Sequence, residues 1–162
     1  MKKFDISLIV EVLTKTKFKM SYSQVVDLLN DLLGVHYLAE TTYKKGIEHV
    51  EDETLKSFFV VKAAEKASMV NELTDIILRL NGTPLKNGLP SQTASKLWSD
   101  VLLFFQGNSK AAILEECKKA EKTVLNQYNE VLKHSSIADF NREILEGQLK
   151  EIDEGISSSF SI

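Results

Sequence analysis

Cysteine is nearly absent from this sequence: Cys117 stands alone, so no internal disulfide forms, and a reducing compartment is the setting it points to. Proline occurs twice and glycine seven times in 162 residues, too few turn formers for a protein of many short strands. No run of Lys and Arg tracks a phosphate backbone, and the net charge is −3, which argues against nucleic acid as a partner. The densest basic stretch, Lys15, Lys17 and Lys19, reads as a solvated face. No uninterrupted apolar run approaches the ~18 residues of a membrane span. Met1-Lys2-Lys3-Phe4 has the charge of a secretory leader, but Asp5 and Glu11 interrupt the apolar stretch that should follow, and no small-residue cleavage site comes after it. The expected location is therefore cytoplasmic. Phosphate-cradling loops are missing too, because Asn81-Gly82 and Asn87-Gly88 lack a strand-to-helix context. With no nucleophile-elbow pattern, covalent catalysis has nothing to stand on.

What is present is helical periodicity. Hydrophobic residues make up 43% and charged residues 27% of the chain, the balance of one globular domain. From Gln24 to Val50 the positions Val25, Leu28, Leu29, Leu32, Val35, Ala39, Tyr43, Ile47 and Val50 recur at three and four, one buried helical face, with Ser21 or Ser23 as N-cap. Asp52 caps a second helix through Leu55, Phe58, Phe59, Met69, Leu73, Ile76, Ile77 and Leu80, ended by Asn81-Gly82 as a left-handed stop. Residues 82–91 hold both prolines and form the one substantial loop. A shorter helix follows from Ser91 through Trp98, Val101, Leu102, Phe104 and Phe105 to Gly107. Asn108 or Ser109 then starts a third long helix carrying Ile113, Leu114, Cys117, Ala120, Val124, Tyr128 and Val131, broken at Ser135-Ser136. A fourth carries Ile137, Phe140, Ile144, Gln148, Ile152 and Ile156.

Short links make each long pair an antiparallel hairpin, and the long crossover between the pairs, with its short helix, is ferritin-like connectivity rather than up-down-up-down. The expected fold is thus an all-α, ferritin-like four-helix bundle of two hairpins. Residues 1–22 read as an N-terminal extension because their apolar pattern is irregular, 23–156 as the bundle, and 157–162 as a frayed tail.

Several segments together resemble a family of short bacterial ferritin-like bundle proteins of unknown function. They are Val26-Asp-Leu-Leu-Asn-Asp-Leu-Leu33, Glu53-Thr-Leu-Lys-Ser-Phe-Phe59, Asn71-Glu-Leu73, Leu80-Asn-Gly-Thr-Pro84 and Ala111 to Glu121 with Tyr128. The resemblance covers roughly Ser23 to Glu154 and leaves out the first 20 residues. It implies a ferritin-like bundle whose di-iron ligands are partly replaced, and no settled activity. A non-enzymatic binding or structural protein of the stress type is the expectation it supports.

The chemistry concentrates in a polar layer near the helix midpoints: His36, Glu65, Glu121, Gln148 and Glu151. A di-iron site needs one Glu from each of two helices and Glu-x-x-His from each of the other two. Here Glu65 is followed by Ser68 where His belongs, Gln148 is followed by Glu151, and Glu121 and His36 each precede a tyrosine by seven residues, Tyr128 and Tyr43. The pattern is pseudo-symmetric and incomplete. His36, Glu65, Glu121 and Glu151 still offer one nitrogen and three carboxylates, a donor set for a single Fe, Mn or Zn ion, so the rival expectation is a metal-binding ferritin-like protein, a metal store or a metal-dependent oxidoreductase. The competing readings are an internal network with Lys62 or Lys66 as its cation, or side chains turned to water, since lone buried carboxylates are costly. The sequence names no partner and leaves a homodimer open.

Overall fold

A computed structural model describes residues 5–17, 21–86, 92–134 and 137–162. Its elements are α1 (Ile6–Lys17), α2 (Tyr22–His49), α3 (Glu53–Arg79), α4 (Gln92–Phe104), α5 (Lys110–Leu132) and α6 (Asp139–Ser158). Each long helix starts where a side chain can satisfy its orphan amides. Ser21 and Gln24 form a reciprocal capping box at α2, the Asp52 carboxylate accepts from the Leu55 amide at 2.8 Å, and the Ser109 hydroxyl accepts from Ala112 at 3.2 Å. A cap of this kind contributes about 1 kcal/mol.

The two ends of the α3 turn divide the work expected of Asn81-Gly82. Asn81 takes the left-handed conformation, with φ 56°, while the Gly82 amide reaches back to the Ile77 carbonyl at 2.9 Å. Gly82 is needed for space instead: a Cβ there would lie 2.7 Å from a Val26 methyl. Asn30 then ties the crossover down, its amide donating to Thr83 O at 3.1 Å and its carbonyl accepting from the Leu85 amide at 2.8 Å. The proposed cap Ser91 and the Ser135-Ser136 break lie outside the described residues.

Helix α2 packs most extensively on α3, α5 on α6, and the shorter α4 bridges α2 and α5. Residue order across the interfaces fixes the directions. His36 and Tyr43 of α2 meet Tyr128 and Glu121 of α5, so those two run antiparallel. Helix α3 is antiparallel to α2 through the short link at 50–52 and therefore parallel to α5, which a tight turn cannot achieve; the crossover is a geometric necessity. The core is continuous, with Leu29, Leu33, Phe59, Leu73, Ile76, Val101, Cys117 and Leu145 all buried. Trp98 of α4 is 1% exposed and meets the Tyr43 ring edge-on at 5.5 Å, the packing its spacing predicted.

Two expectations are corrected. On α6 the inward face is Asn141, Leu145, Gln148, Ile152 and Ile156, whereas Phe140 is 62% exposed and lies under the Arg79 guanidinium at 5.0 Å. Phe140 precedes the stripe position Asn141 by one residue and so points about 100° away from the inward face. Nor is 157–162 a frayed tail: α6 continues to Ser158, and Phe160 is buried against Phe58 with ring centroids 5.0 Å apart. An aromatic so packed offsets the entropy of ordering its segment. At the other end of the chain, Ile6, Leu8, Ile9 and Val10 of α1 are exposed. Among the described residues no helix is long and apolar enough to cross a membrane.

Candidate functional site

Helix periodicity explains which polar side chains enter the core. On α3 the inward stripe is Leu55, Phe59, Lys62, Lys66, Met69, Leu73 and Ile76, at three and four throughout. Its middle members are lysines. Glu65, one position off, falls about 100° around the helix and is only partly buried. On α2 and α5 the same logic places His36 and Tyr43, and Glu121 and Tyr128, fully inside, and Gln148 joins them from α6.

These side chains form two networks. In the first, the Glu121 carboxylate accepts from the Tyr43 hydroxyl at 2.8 Å through Oε1 and from the Lys66 ammonium at 2.6 Å through Oε2. Both members of this ion pair are 2% exposed, so their attraction works in low dielectric and each charge requires the other. Burial, reinforced by Glu121, pushes the Tyr43 hydroxyl well above the ordinary tyrosine range. Tyr43 is thus a neutral donor.

The second network runs His36, Tyr128, Gln148, Glu72. The His36 Nε2 lies 2.6 Å from the Tyr128 oxygen, the Tyr128 hydroxyl donates to Gln148 Oε1 at 2.6 Å, and Gln148 Nε2 donates to Glu72 Oε2 at 2.6 Å. Burial, then Glu121 and Glu72, raises the Tyr128 hydroxyl, which keeps it a donor too. Burial, helped by the positive charge of Lys66, holds His36 well below 6.5, so its imidazole is neutral.

The four residues proposed as metal donors are therefore dispersed. His36 and Glu121 lie in the layer but in different networks. Glu65 pairs with Lys62 at 2.7 Å, whose ammonium also lies 5.5 Å from the centre of the Phe160 ring. Glu151 is exposed at the rim, its carboxyl raised first by partial burial and then by Glu65 and Glu72. Among the described residues, no three His, Cys, Asp or Glu side chains gather as a metal-holding group. A di-metal centre does not fit this donor set for a positive reason: both oxygens of Glu121 are taken, one of them by an ammonium. Glu72 is the one member the sequence reading missed; its place three residues after Met69, on the edge of the inward stripe, is the signal that could have found it.

The comparisons with known proteins agree with this architecture. The family model described as "Domain of unknown function (DUF2383)" matches residues 24–134. None of the curated proteins matches the chain. Among solved structures, the chain is similar to the bacterioferritin-related protein of Bacteroides fragilis, described as a dodecameric thioferritin, with TM-score 0.66 and 20% identity over 91% of this chain and 88% of that one. It is also similar to a ferritin-like, diiron-carboxylate protein of Bacillus anthracis str. Ames, with TM-score 0.63 and 19% identity over 87% of this chain and 94% of that one. Likeness at this identity establishes the ferritin-like fold and nothing of the chemistry.

Proposed function

The chain belongs to the family described as Domain of unknown function (DUF2383), and from that premise we propose that it is a non-enzymatic binding or structural protein, of the stress type and cytoplasmic, built on a ferritin-like bundle whose metal chemistry has been replaced by an internal hydrogen-bond and ion-pair layer. The observation that carries this reading is the buried Lys66–Glu121 pair, 2.6 Å apart. An ammonium fixed against the central carboxylate supplies the positive charge that a metal ion would otherwise bring, and it does so without open coordination positions. Apolar residues left in solvent, Val60, Val61 and Leu78 on α3 and Ile6 and Leu8 on α1, support self-association of two copies.

A second reading keeps one Fe, Mn or Zn ion at His36, Glu65, Glu121 and Glu151. It is favoured by the unpartnered Nδ1 of His36 and by the electrostatic proximity of Glu65 to Glu151, and it requires Lys66 to withdraw from Glu121. Elemental analysis of protein purified without chelator separates the two. The expected result is no stoichiometric metal; close to one Fe, Mn or Zn per chain, lost in Glu121→Ala, establishes the second reading instead. Light scattering on the same sample tests self-association, expected as a homodimer.

A further inference from the structure

The network from Glu72 to His36 has a direction that can be worked out atom by atom. A carboxylate oxygen and a backbone carbonyl both accept hydrogen bonds, so Glu72 Oε2 at 2.6 Å, with the Met69 carbonyl beside it at 3.5 Å, fixes the Gln148 amide with its NH₂ outward and its carbonyl toward Tyr128. That carbonyl only accepts, so the Tyr128 hydroxyl spends its single proton on it. The Tyr128 oxygen is then left as an acceptor toward His36, so the Nε2–H of His36, 2.6 Å away, must donate to it. A neutral imidazole carries one N–H. With that hydrogen on Nε2, the Nδ1 of His36 is a bare lone pair inside a fully buried side chain, and Nδ1 has no hydrogen-bond partner among the described residues.

A buried acceptor of this kind needs a donor. Lys66 is close enough for its charge to act on the ring, and that positive charge repels a second cation arriving at Nδ1. What fits is small, neutral and able to donate. We propose that His36 Nδ1 is the receiving atom of an internal binding site for one small neutral hydrogen-bond donor, water in the resting protein, and that the surface residue Glu72 sets the polarity of that site through Gln148 and Tyr128. Buried waters of globular proteins occupy such positions, making about three hydrogen bonds to otherwise unpaired groups. Glu72 here is a positioning residue: it touches neither the water nor the imidazole. The inference rests on the closed-network reading of the layer.

The test uses the full-length protein labelled with ¹⁵N-histidine, the other two ring systems being identified through His49→Gln and His134→Gln. Two-bond ¹H–¹⁵N spectra should show His36 protonated at Nε2, with Nδ1 shifted as a hydrogen-bonded acceptor, and water-selective transfer should reach the ring. A protonated Nδ1, or an Nδ1 shift typical of an unbonded lone pair with no water transfer, overturns the site. Glu72→Gln retains a carbonyl acceptor and should leave the tautomer as it is. Glu72→Lys presents only donors, so the Gln148 amide should turn over, Tyr128 should donate to His36 Nε2, and the proton should move to Nδ1. Because residue 72 is exposed, both variants should fold. An unchanged tautomer in Glu72→Lys overturns the polarity control. Stoichiometric metal in the unlabelled protein would instead defeat the network reading itself, a separate outcome.

Discussion

The two halves of the polar layer answer one problem, burying polar groups, in opposite ways. Around Glu121 the solution is charge against charge, closed off from solvent with Tyr43 as auxiliary donor. Around His36 it is a neutral relay whose outer end is an exposed carboxylate, Glu72. By spacing along the chain, related positions follow an exchange of α2 with α5 and α3 with α6: His36 for Glu121, Tyr43 for Tyr128, Glu65 for Gln148. The difference teaches that two hairpins with matching residue spacing can bury their central polar groups by different chemistry. One half then depends on a pairing that cannot be interrupted, while the other is tuned from the surface.

Removing one charge should break this comparison most severely. Lys66→Met leaves the buried Glu121 carboxyl without its cation, with only the Tyr43 hydroxyl as partner, and should destabilise the fold by about 3 to 5 kcal/mol, read from denaturant midpoints at neutral pH. The double change Lys66→Met with Glu121→Met should recover most of that loss, because a well-packed apolar pair is often as stable as the ion pair it replaces. Equal destabilisation in the single and double variants would show that the pair is not coupled. Of similar size is Trp98→Ala, at about 3 to 5 kcal/mol, since this ring caps the charged half through Tyr43; an unchanged melting temperature would show that α4 is not integral to the layer.

Tyr128→Phe addresses the neutral half. It strips the donor from Gln148 Oε1 and the acceptor from His36 Nε2, costing about 1 to 3 kcal/mol for groups left unpaired. The pH dependence sharpens the contrast further. His36 in the fold titrates well below 6.5, while in the unfolded chain it takes a proton near that ordinary value. Below 6.5 the unfolded state therefore binds the extra proton, and stability falls as pH falls, by up to about 1.4 kcal/mol per unit, until the folded-state value is reached. His36→Gln should flatten this slope relative to the wild type while the carboxylate contributions common to both proteins remain. The smallest effect is expected at the surface pair Lys150–Glu154, 3.7 Å apart with both side chains mostly exposed. Lys150→Ala should change stability by less than about 0.5 kcal/mol.

Much of this was legible in the chain. The long helices, their caps at Ser21, Asp52 and Ser109, and the crossover follow from periodicity and turn residues, because the 3.6-residue repeat turns burial into spacing. The layer was legible as a set of polar residues near helix midpoints. Its membership was less so: Glu65 and Glu151 were read as inward, yet the α3 stripe runs through Lys62 and Lys66, and a shift of one residue turns a side chain about 100° away. Phe140 and Phe160 were misplaced for a related reason. Which of several apolar residues at a helix end is buried depends on where the neighbouring helix lies.

The sequence by itself determined the four long helices, the shorter one between the pairs, the hairpins and the need for a long crossover, since local propensity and hydrophobic spacing act within one segment; α1 (Ile6–Lys17) escaped it because its apolar pattern is irregular. Only the tertiary structure decided the chemistry of the centre. Hydrogen-bond partners such as Lys66 and Glu121, 55 residues apart, or His36 and Tyr128, 92 apart, are chosen by packing between helices. Whether a buried carboxylate meets an ammonium or a metal ion is settled by distances of a few ångströms that no periodicity encodes.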